Sequence, residues 1–181
     1  VLFRSEGEIV RISKDIVEDC IQSAPKGWTI FDRLGRKAMH VCGRNSYFGT
    51  STAAPNTLDT RSGQLRPTCL EDIRRGALLA DALEQIDFVM PFGSAQDVPE
   101  STADLHEFAA VLTHTSKPVV FLGSSGRILE RVIERASAAA GGLDSLQEKP
   151  FLIIFPVHLS PLVFPEHACE RLLTAAAYGI P

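Results

Sequence analysis

From residue 67 onward, apolar residues recur in two alternating rhythms. One is helical. Leu70, Ile73, Ala77, Ala80 and Leu83 fall three or four apart behind Thr68-Cys69-Leu70-Glu71, which reads as a capping box with Thr68 as N-cap and Glu71 reaching back to its amide. The other is a short continuous apolar run: Ile86–Met90, Pro118–Gly123 and Phe151–Phe155. Such runs are expected of strands covered by helices. Between them Ser101 caps a predicted helix Ala103–Thr113, and Ser124 or Ser125 opens another through Leu129, Val132, Ile133 and Ala136 to Gly141-Gly142. Pro165 stands near the start of a last helix that ends at Gly179, proline first and glycine last.

The segment 1–66 has a different texture. Ser13 is a plausible N-cap for a helix Lys14–Ser23, with Ile16, Val17, Cys20 and Ile21 on one face and Pro25 ending it. Trp28–Phe31, Ala38–Cys42, Tyr47–Thr50 and Thr57–Thr60 read as short strands. Leu34-Gly35-Arg36, Gly43-Arg44-Asn45, Ala54-Pro55-Asn56 and Arg61-Ser62-Gly63 separate them as turns, which suggests antiparallel hairpins.

Beyond residue 67, strand starts fall about 30 residues apart, the spacing of parallel βαβ units. An eightfold barrel and an open doubly wound sheet share that rhythm. A nucleotide-binding open sheet would carry a glycine fingerprint after its first strand, and Pro91-Phe92-Gly93-Ser94-Ala95-Gln96 does not match one. A complete barrel needs about 250 residues. The expected fold class is therefore α/β: a partial TIM (β/α)8 barrel, its first half at 67–181, preceded by an N-terminal helix and β-hairpin region at 1–66.

Composition narrows the function classes. The 181 residues are 45% hydrophobic and carry a net charge of −4, enough for one domain with a real core. No Lys/Arg-rich run supplies the electrostatic footprint of a nucleic-acid binder. Cys20, Cys42, Cys69 and Cys169 are far apart and form no CxxC pair, which fits a reduced intracellular protein. His40, His106, His114 and His167 show no metal-ligand spacing, so no metal is expected. No apolar stretch approaches a membrane span of about 20 residues, and no leader pattern opens the chain; the expected compartment is the cytoplasm. Val1-Leu2-Phe3-Arg4-Ser5 resembles a translated sequencing-adapter stretch, no initiator Met is present, and Tyr178-Gly179-Ile180-Pro181 reads as a helix cap entering a new strand. These ends are expected of a fragment of an open reading frame.

Leu58-Asp59-Thr60-Arg61-Ser62-Gly63-Gln64-Leu65-Arg66-Pro67-Thr68 resembles the hairpin-to-helix passage of the trimethylamine methyltransferase family. Glu71-Asp72, Leu79–Leu83, Ile86-Asp87-Phe88, Asp97-Val98-Pro99, Thr115–Pro118, Ala140-Gly141-Gly142, Lys149-Pro150-Phe151 and Ser160-Pro161-Leu162 continue in family order. The resemblance implies a (β/α)8 barrel. It also implies transfer of methyl from trimethylamine or a betaine to the reduced cobalt of a corrinoid (cobalamin) held by a separate cognate protein. The pyrrolysine that marks some members would fall beyond Pro181. A homo-oligomer is left open.

In a barrel, substrate groups come from the C-terminal ends of strands. A methylated cation asks for aromatic faces and a nearby carboxylate. On that ground His158, directly after a buried strand, is the first substrate-binding candidate; the alternative is a loop histidine satisfied by backbone. Ser160 shares its loop. Asp97 faces the cation or caps a turn before Val98-Pro99. Phe48, with Tyr47 and Thr50, is selected if its strand feeds the mouth; Phe92, with Phe121 and Phe155, lines a cage or belongs to the core. Gly123-Ser124-Ser125-Gly126-Arg127 receives an anion on helix amides or is an ordinary serine cap. Two other readings stand beside the methyltransferase: a barrel enzyme acting on a phosphorylated small molecule at Gly123–Arg127, and a non-enzymatic half-barrel whose open strand edges self-associate.

Overall fold

The computed structural model describes residues 3–7 and 9–181. Val1 and Leu2 of the adapter-like opening lie outside them. The chain enters through an antiparallel hairpin, β1 (Phe3–Glu6) and β2 (Ile9–Ile12). Helix α1 (Lys14–Ser23) then spans the predicted residues, between extended backbone at Ser13 and at Ala24 before Pro25. No residue of α1 is buried.

Strands β3 (Gly27–Phe31) and β4 (Lys37–Cys42) form the expected antiparallel pair. Asp32 holds their turn, its Oδ1 accepting the Leu34 and Arg36 amides at 2.9 Å each. A second hairpin joins β5 (Asn56–Leu58) to β6 (Leu65–Pro67). The carboxylate of Asp59 organises that turn: the Ser62 and Arg61 amides donate to Oδ1 and hold the group below its ordinary pKa. The sequence reading carried Thr57–Thr60 as a strand and did not name β6. Its Pro67 is tolerated because β6 is an edge strand of a two-stranded sheet.

The capping box of α2 (Leu70–Ala82) is displaced by one residue from the predicted one: Cys69 is the N-cap and Asp72 the residue that reaches back. Thr68 is fully buried, and its hydroxyl is committed to the Ala54 carbonyl (3.0 Å) and to Thr57 Oγ1 (2.8 Å). Glu71 turns outward to Arg75 Nε (2.9 Å). Asp72 Oδ2 accepts the Cys69 amide at 3.0 Å, and the carboxylate takes a two-pronged grip from Arg66 at 2.6 and 2.7 Å. Arg66 above all holds Asp72 below the ordinary carboxylate range.

The strand–helix rhythm is then realised. A 3-10 turn (Glu100–Thr102) leads into α3 (Ala103–His114), followed by β7 (Val119–Phe121), α4 (Gly126–Ala140), α5 (Leu143–Glu148), β8 (Leu152–Ile154) and α6 (Glu166–Tyr178). β7 and β8 pair in parallel, Val119 opposite Leu152. Single parallel bridges extend the sheet through Val89–Val119 and Phe88–Gly49, and on the other side the Ile154 amide donates to the Pro181 carbonyl at 2.7 Å. Sequence neighbours are thus spatial neighbours across the sheet.

Tyr47–Thr50 and Ile86–Met90 were expected as whole strands and form single bridges. Side chains take over part of the ladder there. Asp87 Oδ2 accepts the Phe48 amide (2.7 Å), and the Thr50 hydroxyl both accepts the Met90 amide and donates to its carbonyl at 2.7 Å. Residues Phe108, Val111, Val119, Leu129, Val132, Ile133, Leu146 and Leu152 fill the space between helices and sheet at zero exposure. Helix α4 is capped by Ser125, whose Oγ accepts the Ile128 amide at 3.3 Å. Ser125→Ala is expected to lower stability by about 1 kcal/mol, read as a shift of the urea midpoint. Helix α6 ends at Gly179 (φ 64°), as the glycine-last pattern requires.

Candidate functional site

The C-terminal ends of the parallel strands lead into three segments, 91–102, 122–125 and 155–165, and these form the mouth of the sheet. Three charged side chains anchor the first two from behind. Glu107 Oε1 accepts the Ala95 amide at 2.8 Å. One turn earlier on α3, Asp104 Oδ2 accepts the Ser124 amide at 2.6 Å. From α6, Arg171 Nη1 donates to the Gly123 carbonyl at 2.9 Å, and its Nε to the His167 carbonyl at 2.9 Å. Glu107 is 7% exposed and Arg171 3%. Burial pushes Glu107 up from its ordinary 4.5, against the pull of the Ala95 amide and with help from the Asp104 charge. Burial likewise lowers Arg171, opposed by Asp104. The contacts to Ala95, Ser124 and Gly123 each tie a loop to a helix packed on the core, so the mouth is fixed by the same elements that exclude water.

Sequence reasoning named none of the three residues. A signal was present: Glu107, Ala110 and Val111 share a helical stripe, as do Ala168, Arg171 and Ala175, and every member is buried. A charge lying in an apolar stripe is a buried charge.

Among the sequence candidates, His158 sits on the loop after β8 with its ring edge-on to Phe164, centroids 4.8 Å apart, and its Nε2 is buried without a hydrogen-bond partner. Ser160 is exposed on the same loop, which closes on itself through Leu159 and Val163. Asp97 Oδ1 accepts the Leu70 amide at 2.8 Å, so it serves the N-terminus of α2. The Phe92 ring lies over Gly76 of α2, where an added Cβ would meet it at 2.2 Å. Phe48 is exposed while its backbone amide and carbonyl are both bonded to Asp87. Among the described residues, no hydrogen bond, ion pair or ring contact joins any two of these five.

At Gly123–Arg127 the chain's own acceptors already meet the free amides. Asp104 takes Ser124, Glu170 Oε2 stands 3.5 Å from the Gly126 nitrogen, and Ser125 takes Ile128. Two carboxylates therefore stand where an anionic ligand would have to bind. Around the mouth the 155–165 loop presents Phe155, Val157, Leu159, Leu162, Val163 and Phe164 as exposed apolar side chains. Among the described residues no helix is long and apolar enough to cross a membrane.

Comparison with known proteins adds what geometry does not. The family model described as trimethylamine methyltransferase (MTTB) matches residues 3–181. The trimethylamine methyltransferase MttB of Desulfitobacterium hafniense is 30% identical over 174 residues, covering 96% of this chain and 35% of that protein. A glycine betaine methyltransferase of the same species is 28% identical over 177 residues, covering 96% of this chain and 36% of that protein. The MttB of Methanosarcina thermophila is 27% identical over 182 residues, covering 97% and 38%. The chain spans about a third of the length of these relatives. With the match running through the hairpins, the strand–helix units and the mouth loops alike, the chain belongs to the trimethylamine methyltransferase family.

Proposed function

We propose that the protein to which this stretch belongs transfers a methyl group from a tertiary or quaternary methylated amine, trimethylamine or a betaine, to the Co(I) of a corrinoid carried by a cognate protein. The family match across residues 3–181 carries the reading, and the names of the relatives supply the substrate class. We place the stretch as the first half of a (β/α)8 barrel at 67–181, after a helix-and-hairpin preamble at 1–66. Strands that neighbour one another in both sequence and space support that placement. For the leaving group to be a neutral amine the nitrogen must carry positive charge, as a quaternary ammonium or as protonated trimethylamine. The C–N electron pair would then stay on nitrogen, and the partner's corrinoid would supply the two electrons of the new bond to carbon.

The chain's own part is to hold the cation at the mouth and keep water from it. Aromatic and apolar side chains of the 155–165 loop suit a quaternary ammonium, which has no hydrogen-bond donor to satisfy. His158, with its unpartnered Nε2, is the group we assign to a substrate carboxylate or to the orientation of a neighbour. Ser160 is its companion on the loop. Asp97, Phe48 and Phe92 hold α2 and the Asp87 junction in this structure and take part through those elements.

The test uses the full-length protein, a reduced cognate corrinoid protein and a panel of methylamines and betaines, following the absorbance change on cobalt methylation. Transfer from one of the amines is expected; no spectral change with any of them would end the reading. His158→Ala should slow transfer roughly tenfold, about 1.4 kcal/mol of transition-state stabilisation, with the unfolding midpoint unchanged. The phosphorylated-substrate reading gains nothing from Gly123–Arg127, where Asp104 and Glu170 face the amides.

A further inference from the structure

The segment that follows β7 reads Gly123-Ser124-Ser125-Gly126, and little in its own covalent structure fixes its course. Gly123 stands at φ 68° without a Cβ, so its own sterics do not set the plane of the peptide after it. The chain on either side is held. The Phe121 carbonyl accepts the Phe155 amide at 2.9 Å, and Ser125 caps α4. Between these two points lies the Gly123–Ser124 peptide, at the end of the strand where a barrel places its substrate.

Both polar groups of that single peptide are taken by charged side chains. Its carbonyl accepts Arg171 Nη1 at 2.9 Å, and its N–H donates to Asp104 Oδ2 at 2.6 Å. A trans peptide points its C=O and N–H in opposite directions, so the two side chains grip it from opposite sides. Asp104 comes from the first turn of α3, which precedes β7, and Arg171 from α6, which follows β8. Hydrogen bonds to ionised groups are about twice as strong as neutral ones. Arg171 is itself buried and held by the His167 carbonyl, so little water competes for its place. Turning the peptide over would break both bonds. It would also set the carbonyl oxygen against a carboxylate and the N–H against a guanidinium.

We infer that Asp104 and Arg171 are positioning residues for methyl transfer, a clamp that gives the β7 end of the mouth one backbone orientation. The inference rests on the methyl-transfer reading. Each side chain acts through the peptide, with no contact to substrate required. A displacement of about 1 Å at a reacting centre can cost on the order of a hundredfold in rate.

The test uses the full-length protein, its corrinoid partner and an amine that the parent demethylates. Asp104→Ala should lower kcat by about tenfold or more with KM nearly unchanged. Asp104→Asn keeps an oxygen for the Ser124 amide and should stay within roughly threefold of the parent. Arg171→Met frees the same peptide from its other end and should match Asp104→Ala. Because the peptide can be released only once, the double variant should be no slower than the slower single variant, within roughly threefold. Rates are compared for proteins whose far-ultraviolet circular dichroism matches the parent; should Arg171→Met fail to fold, the two Asp104 variants decide. Parental kcat in Asp104→Ala, with only a lower urea midpoint, would mean a merely structural contact and overturns the inference. So does Asp104→Asn as slow as Asp104→Ala, since the charge and not the grip on the peptide would then matter. A double variant whose losses multiply also overturns it. A parent that transfers from no amine removes the methyl-transfer reading itself, and this inference with it.

Discussion

Phe108→Ala should lower the unfolding free energy by about 3–5 kcal/mol, the largest stability effect expected of any single truncation here. Phe108 has zero exposure and meets Phe121 of β7 edge-on, centroids 5.2 Å apart and planes at 71°. That geometry adds about 0.5–1.5 kcal/mol to burial of the ring area. Other members of the same core, Val111, Val119 and Leu129, come from three different elements, so none of them can move to fill the space without dragging its helix or strand. Against a total stability of roughly 5–15 kcal/mol, the loss would leave a small margin. Urea unfolding of the parent, Phe108→Leu and Phe108→Ala separates volume from ring: leucine should cost about 1.5 kcal/mol or less, alanine several times more. A loss under 1 kcal/mol for alanine would mean that α3 does not rest on the sheet through this residue.

How far such a core can be read beforehand depends on which interactions are local. The apolar runs at Pro118–Gly123 and Phe151–Phe155 contain β7 and β8 because a strand buried by helices needs nothing but apolar residues to declare itself. Lys14–Ser23 is recovered residue for residue, since proline and an extended N-cap bound it in the chain itself. The misses have tertiary causes. Thr68 was the natural N-cap by type, but Ala54 and Thr57, brought in by a hairpin, claim its hydroxyl and pass the cap to Cys69. The short helix α5 (Leu143–Glu148) follows Gly141-Gly142, which reads as a stop, and six residues are too few to show a period. At the mouth, only the place of His158 after a strand was legible, from the apolar run that precedes it. Asp104, Glu107 and Arg171 were not, because charges on helices are usually solvated, and only the apolar stripe around Glu107 and Arg171 distinguishes them.

Glu107 offers the second large effect, and one with a sign that depends on pH. Glu107→Ala leaves the Ala95 amide without an acceptor in a place where Ala95 itself is buried, a loss of about 1–3 kcal/mol before the cavity is counted. Glu107→Gln keeps an oxygen for that amide and removes only the charge. The folded protein holds this carboxyl above its ordinary 4.5, burial being the main cause. A native group that binds its proton more tightly than the unfolded chain does contributes stability below pH 4.5 and loses it as pH rises through the folded value. Relative to the parent, Glu107→Gln should therefore be no more stable at pH 4 and more stable at pH 7, while Glu107→Ala is destabilised at both. Urea unfolding of the three proteins at the two pH values decides the matter. Were glutamine to lose as much as alanine at pH 7, the negative charge itself would be what the mouth requires. The Asp104 charge bears on both Glu107 and Arg171, and the three side chains would then have to be treated as one ionic unit holding the loops rather than as separate hydrogen bonds.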